Sequence, residues 1–288
     1  MESIFIVGCG GVGRLLAKAW KKRGVKVHAL ARSTQSAGVL LQEGITPIAG
    51  DLDVIESLKN MPLAGRWVYY CAPPPPSGVA DSRMRAFIAS LQLQQTLPQG
   101  IVYISTSGVY GDCQGAWVDE TSKPAPQTDR SKRRLDAEQQ LRIWGQEYGV
   151  AVIVLRVGGV YGPGRLPLKR LQRGEPLLEP SESPYSNRIH IDDLVTALLA
   201  AVDRGQADRV YNICDDSPST MSDYFLAVAD REGIARPAMI NMQQAASVVS
   251  PVMLSYLTES RRMANQRLRE ELGVKLTYPD LASGLKHC

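Results

Sequence analysis

Apolar and polar positions along the chain alternate between two periods. Ser3–Val7 is a short, mostly apolar run that stops at Gly8. Val12, Leu15, Leu16, Ala19 and Trp20 then recur at helical spacing until Gly24, a natural helix end. Val25, Val27 and Ala29 alternate as a second strand, and further strands are predicted near Ile45–Ala49, Trp67–Cys71, Gly100–Ser105, Val150–Leu155 and Val210–Cys214. Helical patterns lie between them, with Met84, Phe87, Ile88 and Leu91 sharing one face. Strands separated by helices imply parallel βαβ units, so the expected fold class is α/β, a doubly wound parallel sheet. Pro73–Pro76 cannot be helix interior and reads as a stiff loop after the fourth strand.

Beyond Asp215 the rhythm fades. Helices are expected around Met221–Glu232 and Ala264–Leu272, with Pro237 and Pro251 breaking the chain between them. The expected organisation is a dinucleotide-binding unit over 1–160 and 188–215, with a smaller substrate-side lobe over 161–187 and 216–288. That lobe should sit over the C-terminal edge of the sheet, where ligands bind in open α/β folds.

Composition narrows the picture. The 288 residues are 44% hydrophobic and 22% charged, which fits a globular protein with a full core. Thirty-three basic against 29 acidic side chains give +4, too small an excess to indicate nucleic-acid binding. The best apolar run, Val150–Leu155, stops at Arg156, far short of the ~18 residues of a membrane span. The early glycine cluster leaves no room for a signal peptide. Five scattered cysteines and three distant histidines show no metal-ligand spacing, so the expectation is a cytoplasmic protein with reduced thiols and no metal.

Gly8-Cys9-Gly10-Gly11-Val12-Gly13 follows a strand and opens a helix, the context a dinucleotide-binding loop requires. Glycines let the backbone approach a pyrophosphate, whose charge sits at the positive helix N-terminus. At the end of the second strand, where an acidic residue would bind the ribose of NAD, the chain has Ala31-Arg32-Ser33-Thr34. A guanidinium flanked by hydroxyls suits a 2′-phosphate, so NADP is expected ahead of NAD, unless Arg32 is a plain surface charge. Asp51-Leu52, after the third strand, either meets the adenine or caps a turn. Ala72 and Pro73, after the fourth strand, complete the expected cofactor contacts. Cys9, at a helix N-terminus, is placed for a lowered pKa but has no resolving cysteine nearby.

Three further motifs join the glycine loop: Ser105-Thr106-Ser107-Gly108-Val109-Tyr110-Gly111, Leu155-Arg156-Val157-Gly158-Gly159-Val160-Tyr161-Gly162-Pro163-Gly164, and Arg188-Ile189-His190-Ile191-Asp192-Asp193. In that order the chain resembles the extended and atypical short-chain dehydrogenase/reductases, the NAD-dependent epimerase/dehydratase family of nucleotide-sugar enzymes. The resemblance spans nearly the whole chain and implies a Rossmann fold with a smaller C-terminal substrate lobe. It also implies a Ser/Thr that holds the substrate oxygen, which by position is Thr106, although such a residue can simply cap backbone. His190 and Asp192-Asp193 would anchor a loop and start a helix.

The resemblance fails at one pair. Family members use a tyrosine to move a proton and a lysine one turn later to lower its pKa and hold the ribose. Counting back from Glu138 places Arg134 at the lysine position and Arg130 at the tyrosine position. Taking Lys132 as the lysine puts Thr128 at the tyrosine position. No tyrosine occurs from Asp112 to Glu147, so neither register restores the pair. Arginine does not release its proton near neutrality. Arg130 and Arg134 share a helix face and suit phosphate or ribose, or else Arg130-Ser131-Lys132-Arg133-Arg134 is a solvated basic turn. Tyr110 and Tyr161 are the alternative proton donors.

Two functions follow: an NAD(P)-dependent oxidoreductase or epimerase acting on a carbonyl or nucleotide-sugar substrate, or a non-catalytic NADP-binding protein that reports redox state. Related enzymes often dimerise through helices flanking the active site, so the resemblance admits a homodimer.

Overall fold

The computed structural model describes residues 1–94 and 97–288. Seven strands form one sheet: β1 (Ser3–Val7), β2 (Lys26–Ala31), β3 (Thr46–Ala49), β4 (Trp67–Tyr70), β5 (Gly100–Thr106), β6 (Ala151–Val157) and β7 (Arg209–Ile213). Their spatial order is β7-β6-β5-β4-β1-β2-β3, and every neighbouring pair is parallel. The chain winds outward from β1 in one direction and from β4 in the other. The switch point between β1 and β4 is where such sheets open a ligand crevice.

The central strands are buried on both faces, as parallel strands must be when helices cover each side, while the edge strand β3 is partly exposed. Along β1 the side chains divide by period two. Ile4 and Ile6 enter a core with Leu16, Ala17 and Trp20 of helix α1 (Gly11–Lys22) and Leu194, Ala197 and Leu198 of the helix Ile191–Arg204. Phe5 and Val7 enter a second core with Met84, Phe87 and Leu91 of helix α3 (Ser82–Gln94) and Ala137, Leu141 and Trp144 of helix α4 (Asp129–Tyr148). Between α1 and α3 lies α2 (Thr34–Gln42). The first helix turns out rotated from its expected face. Gly13, Leu16, Ala17 and Trp20 make its buried stripe, while Leu15 is exposed. The position of Leu15 fits helical spacing, but the close approach of Gly13 to the sheet sets the rotation.

One ion pair crosses the second core. Arg156 of β6 meets Glu138 of α4 at 2.8 Å, and both side chains are almost fully buried. Ser105 of β5 donates its hydroxyl to the same carboxylate. Strand, strand and helix are thereby fixed to one another next to the sheet edge.

The C-terminal part differs from expectation in detail. The helix Met221–Glu232 is present as anticipated, opened by a capping box of Thr220 and Asp223 and closed by Gly233 at φ +63°. The helix expected over 264–272 shrinks to Gln266–Glu270, and Leu268, Leu272 and Val274 pack into the first core. Pro251, anticipated as a break, instead starts the helix Pro251–Leu257, where its missing N–H is no loss. A separate hydrophobic cluster of Tyr161, Leu171, Leu177, Phe225, Val228 and Leu285 joins the 161–187 segment to the C-terminal one.

Glu138→Ala should cost about 3–5 kcal/mol of stability, because it strands a buried guanidinium. Urea denaturation measures this. A loss under about 1 kcal/mol, the size of a surface pair, would show that the pair does not hold these elements together.

Candidate functional site

The glycine loop follows β1 and faces the crevice at the switch point. Each glycine has a different constraint. Gly8 has φ +89°, and a Cβ there would collide with the backbone of Ala72 and Cys71 at the end of β4. A Cβ on Gly13 would sit 2.9 Å from the Gly8 carbonyl oxygen and 3.3 Å from Ile6, so Gly13 lets helix and strand close up. Above Gly10 there is nothing within 4 Å. Gly11 lies against the Arg165 guanidinium, and Val12 is half-buried. Helix α1 has no acidic residue in its first turn and no side-chain cap. Its first N–H groups have no intrahelical partner. The helix N-terminus does not lower the Cys9 pKa: burial, then repulsion from Glu43, pushes its thiol up to about 12.

The other edge residues line up in strand order. Arg32, after β2, is exposed and has no ion pair among the described residues. Ser33 caps α2, its hydroxyl accepting from Ser36 N–H at 3.2 Å. After β3, Asp51 accepts from Asp53 N–H at 3.0 Å, the turn-capping role, and Leu52 is buried in the second core. Arg83 holds the Asp53 carboxyl below its ordinary pKa, with Arg32 a lesser contributor. After β4, the Ala72 carbonyl accepts from Arg134 at 3.3 Å and that of Pro73 from Arg83 at 3.3 Å. Thr106 ends β5. The expected residues thus follow the edge from β3 to β5, four strand spacings or about 19 Å.

A cavity of about 560 Å³ opens beyond β5 and brings Thr106, Arg130 and Arg134 together. Thr106 caps the following turn by accepting from Gly108 N–H at 3.3 Å, which leaves its hydroxyl proton free. Arg130 and Arg134 lie on α4, so their stretch is not a solvated turn: Ser131 and Arg133 within it are buried. Arg134 donates to Ala72 O, to Ile104 O at 3.2 Å and to Tyr103 Oη at 3.3 Å. Arg130 reaches across the cavity mouth, donating to Ser255 Oγ at 2.7 Å and lying 3.8 Å from the ring centre of Tyr256.

Five arginines (130, 134, 170, 188 and 261) line the cavity against one carboxylate, Glu259. Arg261 pairs with Glu259 at 3.1 Å and Arg170 with Glu175 at 3.2 Å. Arg188 is buried on the face of Tyr224, 4.1 Å from the ring centre, and donates to Ser186 and Ser219 rather than to a carboxylate. Burial lowers its pKa to about 10. The wall is cationic and aromatic, suited to an anionic ligand.

The alternative proton donors separate. Tyr110 is buried away from the cavity and donates to Asn212 Oδ1 at 2.7 Å. Tyr161 does line the cavity but donates to Asp280 O at 3.3 Å, and burial raises its pKa. Burial likewise pushes Tyr224 up to about 12. His190 is fully buried, its Nδ1 accepting from Asp192 N–H, and Asp193 accepts from Thr277 and Tyr278 N–H at 2.8 and 2.9 Å. These residues anchor segments, as the resemblance implied. Sequence reasoning passed over Arg165, Arg170 and the Ser255–Tyr256 pair; only Arg188, which opens the Arg188–Asp193 motif, carried a readable signal.

Among the described residues, no cluster of His, Cys, Asp or Glu is placed to hold a metal ion, and no helix is long and apolar enough to cross a membrane.

Comparison with known proteins agrees with this fold. The profile of the NAD dependent epimerase/dehydratase family matches residues 4–214. The chain is 24% identical to protein YeeZ of Escherichia coli (strain K12) over 97% of each chain. It is similar to the solved structure of a functionally unknown conserved protein from Silicibacter pomeroyi, with a TM-score of 0.85 and 28% identity over 99% of this chain and 97% of that one. The UDP-glucose 4-epimerase of Thermotoga maritima, solved with UDP-glucose, shares the fold at a TM-score of 0.78 and 19% identity, covering 99% and 96% of the two chains.

Gly10 and Gly13 should respond differently to the same substitution. Gly10→Val fills open space, so its thermal stability should stay near wild type while dinucleotide binding is lost. Gly13→Val should lower stability as well, because its side chain meets backbone. Thermal melts with NADPH titration check both, and wild-type nucleotide affinity in a folded Gly10→Val protein would refute the placement.

Proposed function

The chain belongs to the NAD dependent epimerase/dehydratase family, and from that premise we propose that it binds NADP along the sheet edge and acts on an anionic carbonyl or nucleotide-sugar substrate. The observation that carries this reading is the single line of residues from Arg32 through the glycine loop and Ala72 to Thr106, ending at a cationic cavity. The fit is local as well: Gly10 leaves space beside the start of α1, and the first turn of that helix carries no acidic residue to oppose a phosphate. In this reading Gly8, Gly10, Gly11, Val12 and Gly13 bind the pyrophosphate, and Ala72 and Pro73 flank it. Arg32, beside Ser33, takes the 2′-phosphate, and Asp51 and Leu52 border the adenine end. Residues 161–187 and 216–288 form the substrate-side lobe, supported by a hydrophobic cluster of Tyr161, Leu171, Leu177, Phe225, Val228 and Leu285, while Leu268, Leu272 and Val274 return to the core of the sheet. A homodimer through α3 and α4 fits the exposed Leu93 and Ile143 on those helices.

When bound, the nicotinamide cofactor supplies hydride acceptance or donation. The chain's own contribution is positioning. Thr106 presents a hydroxyl proton to the substrate oxygen, while Arg130 and Arg134 orient negative charge. Neither arginine can exchange a proton near neutral pH. Tyr161 and Tyr224, one buried and one partly buried at the cavity, have raised, not lowered, pKa values, whereas a phenol must be acidified to act as a base near neutrality. The proton therefore comes from water or from Tyr161 acting as a donor, and turnover is slow. The same observation favours the second reading, a non-catalytic NADP-binding protein that reports redox state.

NADPH should bind more tightly than NADH, by roughly 10- to 150-fold for a charge-assisted contact of about 1.5–3 kcal/mol. Arg32→Ala should remove that preference. Equal affinities in the wild type, or a preference that survives Arg32→Ala, would exclude Arg32 as the selector.

Single-turnover NADPH oxidation across carbonyl and nucleotide-sugar substrates should be slow or undetectable, and any activity should fall further in Thr106→Ala. Fast turnover that survives both Thr106→Ala and Arg134→Ala would place the chemistry elsewhere.

A further inference from the structure

We propose that Arg165 is a second grip on the cofactor, closing over the pyrophosphate opposite the helix N-terminus. The inference rests on the dinucleotide reading above and adds a residue from outside the glycine loop. Arg165 lies so close to Gly11 that a Cβ there would collide with its guanidinium. It shares a groove with Gly11, Arg14, Leu15 and Pro163 at the start of α1.

Its charge is uncommitted. Arg165 has no ion pair and no side-chain hydrogen bond among the described residues. The other arginine in the groove, Arg14, is held by Glu43, with Nε 2.9 Å from the carboxylate. A guanidinium placed against an uncapped helix N-terminus meets like partial charge. An anion held between or beside the two turns that repulsion into attraction. A pyrophosphate is such an anion, and the planar fork of arginine matches its oxygens in two-point contact.

The backbone presents this side chain on a fixed turn. Gly162 at φ +139° and Gly164 at φ +69° permit the reversal, and Arg165 N–H donates to Gly162 O at 3.0 Å. A Cβ on Gly162 would stand 2.7 Å from Ile191 and 3.2 Å from His190 Nε2, so the buried histidine seats the turn. The strand Gly159–Tyr161 immediately before it pairs with Arg188–His190 and lines the cavity. Arg165 thus belongs to one loop that touches the substrate cavity at one end and the glycine loop at the other.

A pyrophosphate contact is common to both dinucleotides, which separates it from a 2′-phosphate contact. Titrate NADPH and NADH by fluorescence against wild type, Arg165→Met and Arg165→Lys, with thermal melts to verify folding. Arg165→Met should weaken both dinucleotides by the same factor, about 10- to 100-fold, and Arg165→Lys should recover part of the loss. Unchanged affinity in folded Arg165→Met overturns the proposal, as does a loss confined to NADPH, which would put Arg165 on the 2′-phosphate. If the wild type binds neither dinucleotide, the cofactor reading itself fails and the proposal falls with it.

Discussion

The Glu138–Arg156 ion pair sets the geometry on which the candidate site depends. Its carboxylate binds Arg156 of β6 and Ser105 of β5 at once, so α4 cannot slide along the sheet without stranding a buried charge. Ser105 immediately precedes Thr106, and Arg134 lies one helical turn before Glu138. The same contact therefore fixes the cavity's hydroxyl and its central guanidinium relative to each other. Arg156 also lies 4.8 Å from the ring centre of Tyr110, which keeps that tyrosine in the core rather than at the cavity.

Around this frame the cavity keeps its positive charge by an unusual division of partners. Arg130, Arg134 and Arg188 are satisfied by ring faces, hydroxyls and backbone carbonyls instead of carboxylates. Neutral partners satisfy donors without cancelling charge. The field at the cavity therefore remains available to a ligand, in a wall whose low polarity strengthens it. A site arranged in this way binds and orients an anion well. It does little to move a proton, since its fixed cations do not titrate and its buried phenols are held in their neutral form.

Much of the frame was legible in the sequence because it follows from short-range rules. Apolar runs of five or six residues separated by helical patterns placed the seven strands to within a residue or two, and a glycine cluster between strand and helix located the crevice. The family register counted back from Glu138 places Arg130 and Arg134, and their spacing of four puts them on one face once the helix Asp129–Tyr148 forms. What escaped was set by tertiary contact. Leu15 fits the apolar stripe of α1, but the close approach of Gly13 to Ile6 rotates the helix and leaves Leu15 outside. Pro251 signals a break and a helix start equally well, and only the packing of its helix over the cavity decides between them. Arg165 stands more than 150 residues from Gly11, and no local pattern could pair them. Cys9 illustrates the same limit: a helix N-terminus favours the thiolate, yet burial outweighs it.

The most direct test of the account is chemical identification of what the protein holds. Protein purified without added nucleotide, then denatured, should release NADP or NADPH detectable by mass spectrometry, at a level that drops sharply in Gly10→Val. Recovery of NAD or NADH in its place would contradict the cofactor assignment. Release of a different nucleotide, at a level unchanged by Gly10→Val, would contradict the placement of the site itself.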